Sequence, residues 1–231
     1  MKAVFFDAGG TLIHIDYPRI GAAIKQMVGR DVPPEAWIAA EYAGRDAVEA
    51  AMASGEAQAD TSRWRVHFSA MLEAVGLSRD DFDRVTPVVM EAHRKKHLWS
   101  AVQPGTAESL ASLSAAGWFV AVISNADGTV ERLLTDVGLT PHLRFIVDSG
   151  LVGVEKPDRR IFDLALEKAG VAAAESYYVG DLFPVDVAGA RNAGLTPVLL
   201  DPLGRYGHRQ VRTAPDVPSF ARELVPAREA A

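Results

Sequence analysis

The chain has 231 residues, 48% hydrophobic and 23% charged, which is enough material for one large domain or for a domain with a sizeable insert. Its formal net charge of −6 argues against a broad nucleic-acid-binding surface. It contains no cysteine, so disulfides and thiolate metal sites are excluded, and a reducing compartment is favoured. No run approaches the roughly 20 apolar residues that cross a bilayer. We therefore expect a globular, cytoplasmic protein that binds neither nucleic acid nor membrane.

The first predicted element is a short apolar strand, KAVFF, which ends at Asp7. Residues 18–97 then show apolar residues at three- and four-residue spacing, which predicts four amphipathic helices. The helices open with Pro, Asp or Ser, residues that are frequent at helix starts. We expect Pro87 to kink or split the fourth helix, because proline removes a backbone hydrogen bond.

From Val102 onward, short apolar strands alternate with amphipathic helices. The predicted strands of this part are WFVAVIS, RFIVDS, SYYVGD and TPVLL, and the last of them is expected to end the sheet. Alternation of this kind indicates βαβ units and a parallel sheet, and KAVFF matches these strands in character. The sequence therefore predicts an α/β fold, with a Rossmann-like parallel-sheet core interrupted by an all-helical cap. We place the core at residues 1–13 and 98–231, and the cap at 14–97.

Polar residues follow the carboxyl ends of the predicted strands, where parallel sheets bind ligands. They are Asp7, Gly9, Gly10 and Thr11 after the first strand, Ser124 and Asn125 after WFVAVIS, Lys156 after RFIVDS, and Asp181 and Asp186 after SYYVGD. Each alone is explained by a helix cap or a turn. Together their chemistry is complementary: carboxylates suit Mg²⁺, while lysine and hydroxyl or amide donors suit phosphate oxygens. A central carboxylate can also attack phosphorus, so the set predicts phosphoryl transfer.

These segments stand as DAGGT, ISN, VEKPD and GDLFPVD, and in this order they resemble the four motifs of the haloacid dehalogenase-like (HAD) hydrolase superfamily, subfamily I with a helical C1 cap. The resemblance implies that Asp7 is the nucleophile and a Mg²⁺ ligand, and that Asp181 is a second ligand. Asp186 would complete the metal site, where it holds a water on the metal or orients Lys156. The backbone carbonyl of Gly9 would be the third protein ligand of the metal.

The resemblance also implies how a small phosphorylated substrate is held. Ser124 and Asn125 would bind the phosphoryl group, and Lys156 would neutralise charge between it and the nucleophile. Gly10 and Thr11 belong to the loop that approaches the substrate closely, where the absence of a side chain lets backbone amides come near. Oligomeric state is not indicated by the sequence.

Gly9 is a departure, because most phosphatases of the superfamily have an acid there that protonates the leaving oxygen and then activates water. Loss of a positioned general acid–base costs ~10²–10⁴-fold in rate. Three explanations stay open: a substrate that leaves without protonation, a substitute such as His14 or Asp16, or a protein that binds phosphorylated ligands with little turnover.

Two related activities without that acid are also considered. Phosphonoacetaldehyde hydrolases need a cap lysine, for which only Lys25 lies early in the insert. The 2-haloacid dehalogenases attack carbon without a metal and have no use for Asp181 and Asp186. His93 and His97 have helical i,i+4 spacing and form a further, weaker metal candidate. Basic residues stand between them, which favours the alternative that this segment is a solvated basic face of the helix.

Overall fold

The structure of the protein, a computed structural model, describes residues 2–225. The chain divides into two compact units. The larger, sheet-containing unit includes the residues up to His14 and those from Ser100 onward, and the smaller, helical unit is Ile15–Trp99. No helix among the described residues is both long enough and apolar enough to cross a membrane.

Eight strands are formed by residues 2–225. In chain order they are β1 (Ala3–Phe6), β2 (His14–Ile15), β3 (Trp99–Ala101), β4 (Phe119–Ser124), β5 (Ile146–Asp148), β6 (Ser176–Gly180), β7 (Thr196–Leu200) and β8 (Arg212–Ala214). Six of them form one sheet in the order β5-β4-β1-β6-β7-β8, while β2 and β3 pair separately. All neighbours in the larger sheet are parallel. The predicted α/β fold is confirmed, and the opening strand lies in the middle of the sheet.

The same part of the chain contains ten α-helices. They are α1 (Tyr17–Val28), α2 (Pro34–Ser54), α3 (Asp60–Ala74), α4 (Arg79–Lys95), α5 (Thr106–Ala115), α6 (Val130–Asp136), α7 (Ser149–Val152), α8 (Arg159–Ala169), α9 (Ala188–Asn192) and α10 (Val217–Leu224). A π-helical turn, Phe183–Val187, leads directly into α9.

The sheet ends later than the sequence predicts, because β8 and α10 follow β7. β8 has only three residues, Arg-Thr-Ala, and no apolar run that would mark it as a strand. α10 is short and is capped by Asp216, whose side chain accepts a hydrogen bond from the backbone N–H of Ser219 at 2.6 Å. An aspartate in this capping position is typical of helix starts.

The core of the larger unit explains why its strands are continuous apolar runs. Every residue of β1 is fully buried. On one face Phe5, Ile123 and Tyr178 pack in one cluster with Ile161 and Phe162 of α8. Strands covered on both faces lose the alternation of apolar and polar residues that half-exposed strands show.

The helical unit contains the four predicted helices, and its core includes Ile20, Trp37 and Met71. Pro87 does not split the fourth helix, since α4 runs through it from Arg79 to Lys95, and a kink at Pro87 stays a prediction. Val85 and Val89, on either side of the proline, are both buried in the same core. Their packing holds the two halves in one helix despite the missing hydrogen bond.

Candidate active site

Asp7 lies directly beyond the central strand and is 8% exposed. Its backbone N–H donates to the carbonyl of Val179 in β6 at 2.8 Å, which fixes its level relative to the neighbouring strand. Its Oδ1 accepts a hydrogen bond from the N–H of Ala8 at 2.7 Å and forms an ion pair with Nζ of Lys156 at 2.9 Å. Both contacts use Oδ1, so Oδ2 is the oxygen that can act on a ligand.

Lys156 is buried beneath this carboxylate, with 1% of its surface exposed. Its Nζ lies 2.7 Å from the hydroxyl of Tyr178, 2.8 Å from Oδ1 of Asp186 and 2.9 Å from Oδ1 of Asp7. Burial lowers the pKa of Lys156, but the carboxylates of Asp186 and Asp7 more than offset this, so its pKa lies above the usual range. The side chain is therefore an ammonium with all three protons directed at partners.

The side chain of Asn125 fixes the backbone at Lys156. Its Nδ2 donates to the carbonyl of Lys156 at 3.0 Å, and its Oδ1 accepts from the N–H of Lys156 at 2.7 Å. The sequence predicts a substrate-binding role for Asn125. The structure shows that both ends of its amide already join the loop after β4 to the segment that carries the lysine.

Ser124 ends β4 and is 3% exposed. Its hydroxyl lies 3.5 Å from the carbonyl of Asn125, beyond the roughly 2.5–3.0 Å that is usual for O–H···O hydrogen bonds, so this contact is weak. A hydroxyl held this weakly can rotate toward a ligand. This geometry is compatible with the predicted role of Ser124 at the phosphoryl group.

Asp148 is a residue at this edge that sequence reasoning missed. Its carboxylate accepts backbone hydrogen bonds from Gly128 at 3.0 Å, Gly150 at 2.9 Å and Val130 at 3.3 Å. These bonds hold the loop that follows Ser124. The signal in the sequence was weak, since the acid follows an apolar strand just as Asp7 does but belongs to none of the four motifs.

The predicted acidic pair lies beside Asp7. Asp7, Asp181 and Asp186 each bring a carboxylate oxygen to within 4.8 Å of the others. Oδ2 of Asp186 accepts from the N–H groups of Asp181 at 3.0 Å and Leu182 at 2.9 Å, while its Oδ1 binds Lys156. Both oxygens of Asp186 are therefore occupied by protein donors, an arrangement compatible with orienting Lys156, and its predicted place in the metal site stays a prediction.

Two glycines allow the acids to approach the sheet. A Cβ at Gly10, whose φ is +72°, would lie 2.5 Å from Oδ2 of Asp181. A Cβ at Gly180 would lie 2.4 Å from Cγ of Asp186. Real Cβ atoms do not come this close to carboxylates, so each position leaves no room for a side chain.

The loop after Asp7 uses its amides internally. Gly10 N–H donates to the carbonyl of Ile13 at 2.9 Å, and Thr11 N–H donates to the carbonyl of Ala8 at 3.3 Å. The sequence-based interpretation that these two residues face the substrate stays a prediction. The Thr11 hydroxyl is buried and has no hydrogen-bond partner within residues 2–225, so a ligand could satisfy it.

A hard divalent cation fits the chemistry of this acidic site. The pKa of Asp7 is raised to about 7, first by burial and further by Asp186 and Asp181, while Lys156 opposes the rise. Negative charge is therefore in excess at Asp7 and Asp181. Carboxylate oxygens are the ligands that Mg²⁺ prefers, and a cation there would relieve the repulsion.

Two of the other candidates from the sequence, Asp16 and Lys25, have structural explanations. Asp16 caps α1, its Oδ1 accepting from the N–H of Arg19 at 3.4 Å. Lys25 is 62% exposed and pairs with Asp31 at 2.9 Å, a solvated surface contact. His14, the other proposed substitute for the missing acid, is partly buried and begins β2.

The histidine pair on the helical unit is arranged unfavourably for a metal. The rings of His93 and His97 lie 4.2 Å apart. Their Nδ1 atoms accept from the N–H groups of Leu98 at 3.5 Å and Trp99 at 3.3 Å, respectively. An accepting Nδ1 requires that the neutral ring carry its proton on Nε2. A metal on Nε2 would displace that proton onto a nitrogen that faces an N–H donor.

Comparison with known proteins identifies the family. A family model described as haloacid dehalogenase-like hydrolase matches residues 1–194. The chain belongs to this family of hydrolases. The resemblance seen in the four motifs is thereby confirmed, while assignment to the subfamily with a C1 cap stays a prediction.

Among curated proteins, the chain is 30% identical to a phosphoserine phosphatase of Thermus thermophilus, over 87% of this chain and 89% of that protein. It is 28% identical to a phosphoglycolate phosphatase of Pseudomonas syringae, over 91% of this chain and 72% of that protein. It is 34% identical to haloacid dehalogenase-like hydrolase domain-containing protein 3 of Mus musculus, but this match covers 52% of the chain and spans only 49% of the mouse protein.

Solved structures show the same fold. The putative HAD-hydrolase YfnB from Bacillus subtilis, solved bound to magnesium, superposes with a TM-score of 0.66 at 17% identity and covers 97% of this chain and 98% of its own. A 2-haloacid dehalogenase from Pseudomonas syringae gives a TM-score of 0.58 at 25% identity, with coverage of 97% and 98%. Phosphatases and dehalogenases thus both occur among the similar proteins.

Proposed function

We propose that the protein is a Mg²⁺-dependent phosphatase that acts on a small phosphorylated metabolite through a phosphoaspartate on Asp7. One observation carries this proposal: a buried ammonium, Lys156, joins Asp7 to Asp186, and a third carboxylate, Asp181, lies at the same edge of the sheet. The similarity to phosphoserine and phosphoglycolate phosphatases supports a small substrate.

Oδ2 of Asp7 attacks phosphorus, because Oδ1 is already bound by Ala8 and Lys156. A P–O bond forms to Asp7 as the bond to the leaving oxygen breaks, and that oxygen departs with the electron pair and takes a proton from solvent. Water then attacks the phosphorus and releases one proton to solvent, and the P–O bond to Asp7 breaks, giving inorganic phosphate and restoring the Asp7 carboxylate. Lys156 stays charged throughout and balances the negative charge that gathers between Asp7 and the phosphoryl oxygens.

The side chains of Asp7 and Asp181, with the predicted carbonyl of Gly9, would hold the Mg²⁺. When bound, the ion neutralises the phosphoryl oxygens and lowers the pKa of Asp7, so that the nucleophile is ionised at neutral pH. Asp186 acts through Lys156. The Ser124 hydroxyl would donate to a phosphoryl oxygen.

A second candidate, 2-haloacid dehalogenation, is favoured by the glycine at position 9 and by the structural similarity to a dehalogenase. In that reaction the same carboxylate would attack carbon. It would leave Asp181, which lies among the other acids, without a chemical task.

The two candidates are separated by one panel of substrates. Aryl phosphates, alkyl phosphates, acyl phosphates, phosphonates and 2-haloacids are tested with Mg²⁺ and with a chelator. We expect hydrolysis of aryl phosphates that chelation abolishes and Mg²⁺ restores. Chelator-resistant release of halide, with no release of phosphate, would instead establish the dehalogenase.

A further inference from the structure

Tyr178 in β6 makes a set of contacts that the proposed mechanism does not yet use. Its side chain is completely buried. Its hydroxyl lies 2.7 Å from Nζ of Lys156, 2.9 Å from the carbonyl of Ile123 and 3.3 Å from Oδ1 of Asp186. Since β1 lies between β6 and β4, the side chain reaches past the central strand to the strand that carries Ser124.

The direction of these hydrogen bonds follows from the charges. Burial raises the pKa of Tyr178 well above its usual range, and the neighbouring Asp186 and Asp7 raise it further, so the hydroxyl keeps its proton. It accepts a hydrogen bond from the Lys156 ammonium and donates one to the carbonyl of Ile123. A short chain of hydrogen bonds thus runs from Lys156 through Tyr178 to the backbone of β4.

This chain removes the rotational freedom of the ammonium. Lys156 has three protons, and Tyr178 takes the one that the two carboxylates do not. Without that partner the ammonium could turn about its last bond and weaken its contact with Asp7. A buried proton without an acceptor would also be costly.

We propose that Tyr178 is a positioning residue that fixes the Lys156 ammonium against Asp7 and ties it to the end of β4. This inference rests on the proposed phosphatase function for its kinetic consequence. Ile123 directly precedes Ser124. The Tyr178 hydroxyl therefore fixes the position of the Lys156 ammonium relative to Ser124, and both of these groups are expected to contact the phosphoryl oxygens. Sequence reasoning passes over Tyr178, because a tyrosine in an apolar strand is an ordinary core residue.

If Tyr178 only filled space in the core, its ring would matter and its hydroxyl would not. The ring of Tyr178 packs edge-on against Phe162, with centroids 5.0 Å apart. A phenylalanine would preserve that packing and lose only the oxygen. Tyr178→Phe therefore separates the role of the hydroxyl from the role of the ring.

The matched control is Tyr177→Phe, which removes a hydroxyl one residue earlier on the same strand. The Tyr177 ring packs against Trp118 and Phe220, away from Lys156. With an aryl phosphate and Mg²⁺, we expect kcat of Tyr178→Phe to fall roughly 10-fold or more, with KM changed less than about twofold. Tyr177→Phe should stay within about twofold of the wild type in both. Equal kcat in all three proteins would overturn the proposal.

A second measurement does not depend on activity. Nitrogen-15 NMR of the lysine side chains reports how fast each ammonium exchanges protons with water. The Lys156 signal should be observable in the wild type and in Tyr177→Phe, and it should broaden or vanish in Tyr178→Phe. An Lys156 ammonium that is equally protected in Tyr178→Phe, or unobservable in the wild type, contradicts the proposed role.

These readouts keep the two proposals distinct. A wild type with no phosphatase activity would defeat the proposed function, while the NMR comparison would still decide the role of Tyr178. If Tyr178→Phe fails to fold, a ring-fluorinated tyrosine at position 178 keeps the shape and weakens the hydroxyl as an acceptor. The same faster exchange of Lys156 is then expected, and unchanged exchange counts against the proposal.

Discussion

The two units of the protein bury polar groups to very different extents. In the sheet unit, Lys156 and Asp186 are almost inaccessible, and each charge is bound by named partners within 3.0 Å. The core of the helical unit is built mainly from apolar side chains such as Trp37, although Arg45 and Arg63 are also buried in this unit. Buried charges demand particular partners at particular places, whereas apolar packing is satisfied by many sequences. The sheet unit therefore contains the candidate active site, whereas the core packing of the helical unit does not indicate which ligand it binds.

The largest expected effect comes from replacing the nucleophile. Asp7→Asn should lower kcat by at least ~10⁴-fold, because an amide does not attack phosphorus. The fold should persist, since the amide oxygen can still accept from Ala8 and Lys156. The control in the helical unit is Asp31→Asn, an exposed carboxylate paired with Lys25, which should leave kcat unchanged. Wild-type turnover in Asp7→Asn would disprove the covalent mechanism.

Asp7→Asn and Asp31→Asn also test whether the buried carboxylate of Asp7 lowers the free energy of unfolding of the metal-free protein. The pKa of Asp7 rises from 3.8 to about 7 on folding. Its contribution to stability is thus complete below pH 3.8 and is lost as the pH rises to about 7, at a cost of up to about 4 kcal/mol.

Urea unfolding with a chelator present should accordingly show Asp7→Asn to be more stable than the wild type at pH 8, by up to about 4 kcal/mol. At pH 4.5 the difference should shrink to about 1 kcal/mol, because only the unfolded carboxylate is ionised there. Asp31→Asn should track the wild type at both values. An Asp7→Asn protein that is less stable than the wild type at pH 8 would show that the carboxylate is not under strain.

Variants at Gly9 test whether the site in the sheet unit lacks a general acid. If it is simply a missing proton donor, Gly9→Asp should raise turnover of alkyl phosphates by up to ~10²-fold and of aryl phosphates much less, because basic leaving groups need protonation most. If His14 already supplies the proton, His14→Ala should lower the turnover of alkyl phosphates more than the turnover of aryl phosphates. Rates are measured against the pKa of the leaving group for the three proteins. An unchanged slope in both variants would indicate a substrate that needs no acid.

The smallest expected effect compares one glycine from each unit. Gly10 and Gly29 both have φ of +72°, so alanine costs each about 1–2 kcal/mol of backbone strain. A Cβ at Gly29 meets nothing within 4 Å, whereas one at Gly10 strikes Asp181. Gly10→Ala should therefore raise the Mg²⁺ concentration for half-maximal activity roughly 10-fold, and Gly29→Ala should leave it unchanged. Equal Mg²⁺ dependence in both would remove Asp181 from the metal site.

Sequence alone predicted the sheet, the helical insert and the strand ends that bring the charged groups together. This was possible because buried parallel strands appear in the sequence as short apolar runs, and because Asp7, Lys156 and Asp181 each come after such a run. Tyr178 and Asp148 were missed, since their importance lies in the atoms they meet across the sheet. The role of Asn125 was also not predictable from residue type. An asparagine at this place is suited to bind phosphate, but its amide is hydrogen-bonded to the backbone of Lys156.

The central place of β1 has a consequence for how the chain folds during synthesis. Ala3 pairs with Phe119 on one side and with Ser176 on the other. At about 5–20 residues per second, its second neighbour leaves the ribosome some 10–35 s after β1 itself. The helical unit is contiguous in sequence and can complete its core during that interval. Until β4 has been made, more than 110 residues after β1, the four apolar residues of β1 have no strand to pair with, so the nascent chain carries an unpaired, aggregation-prone strand during that time.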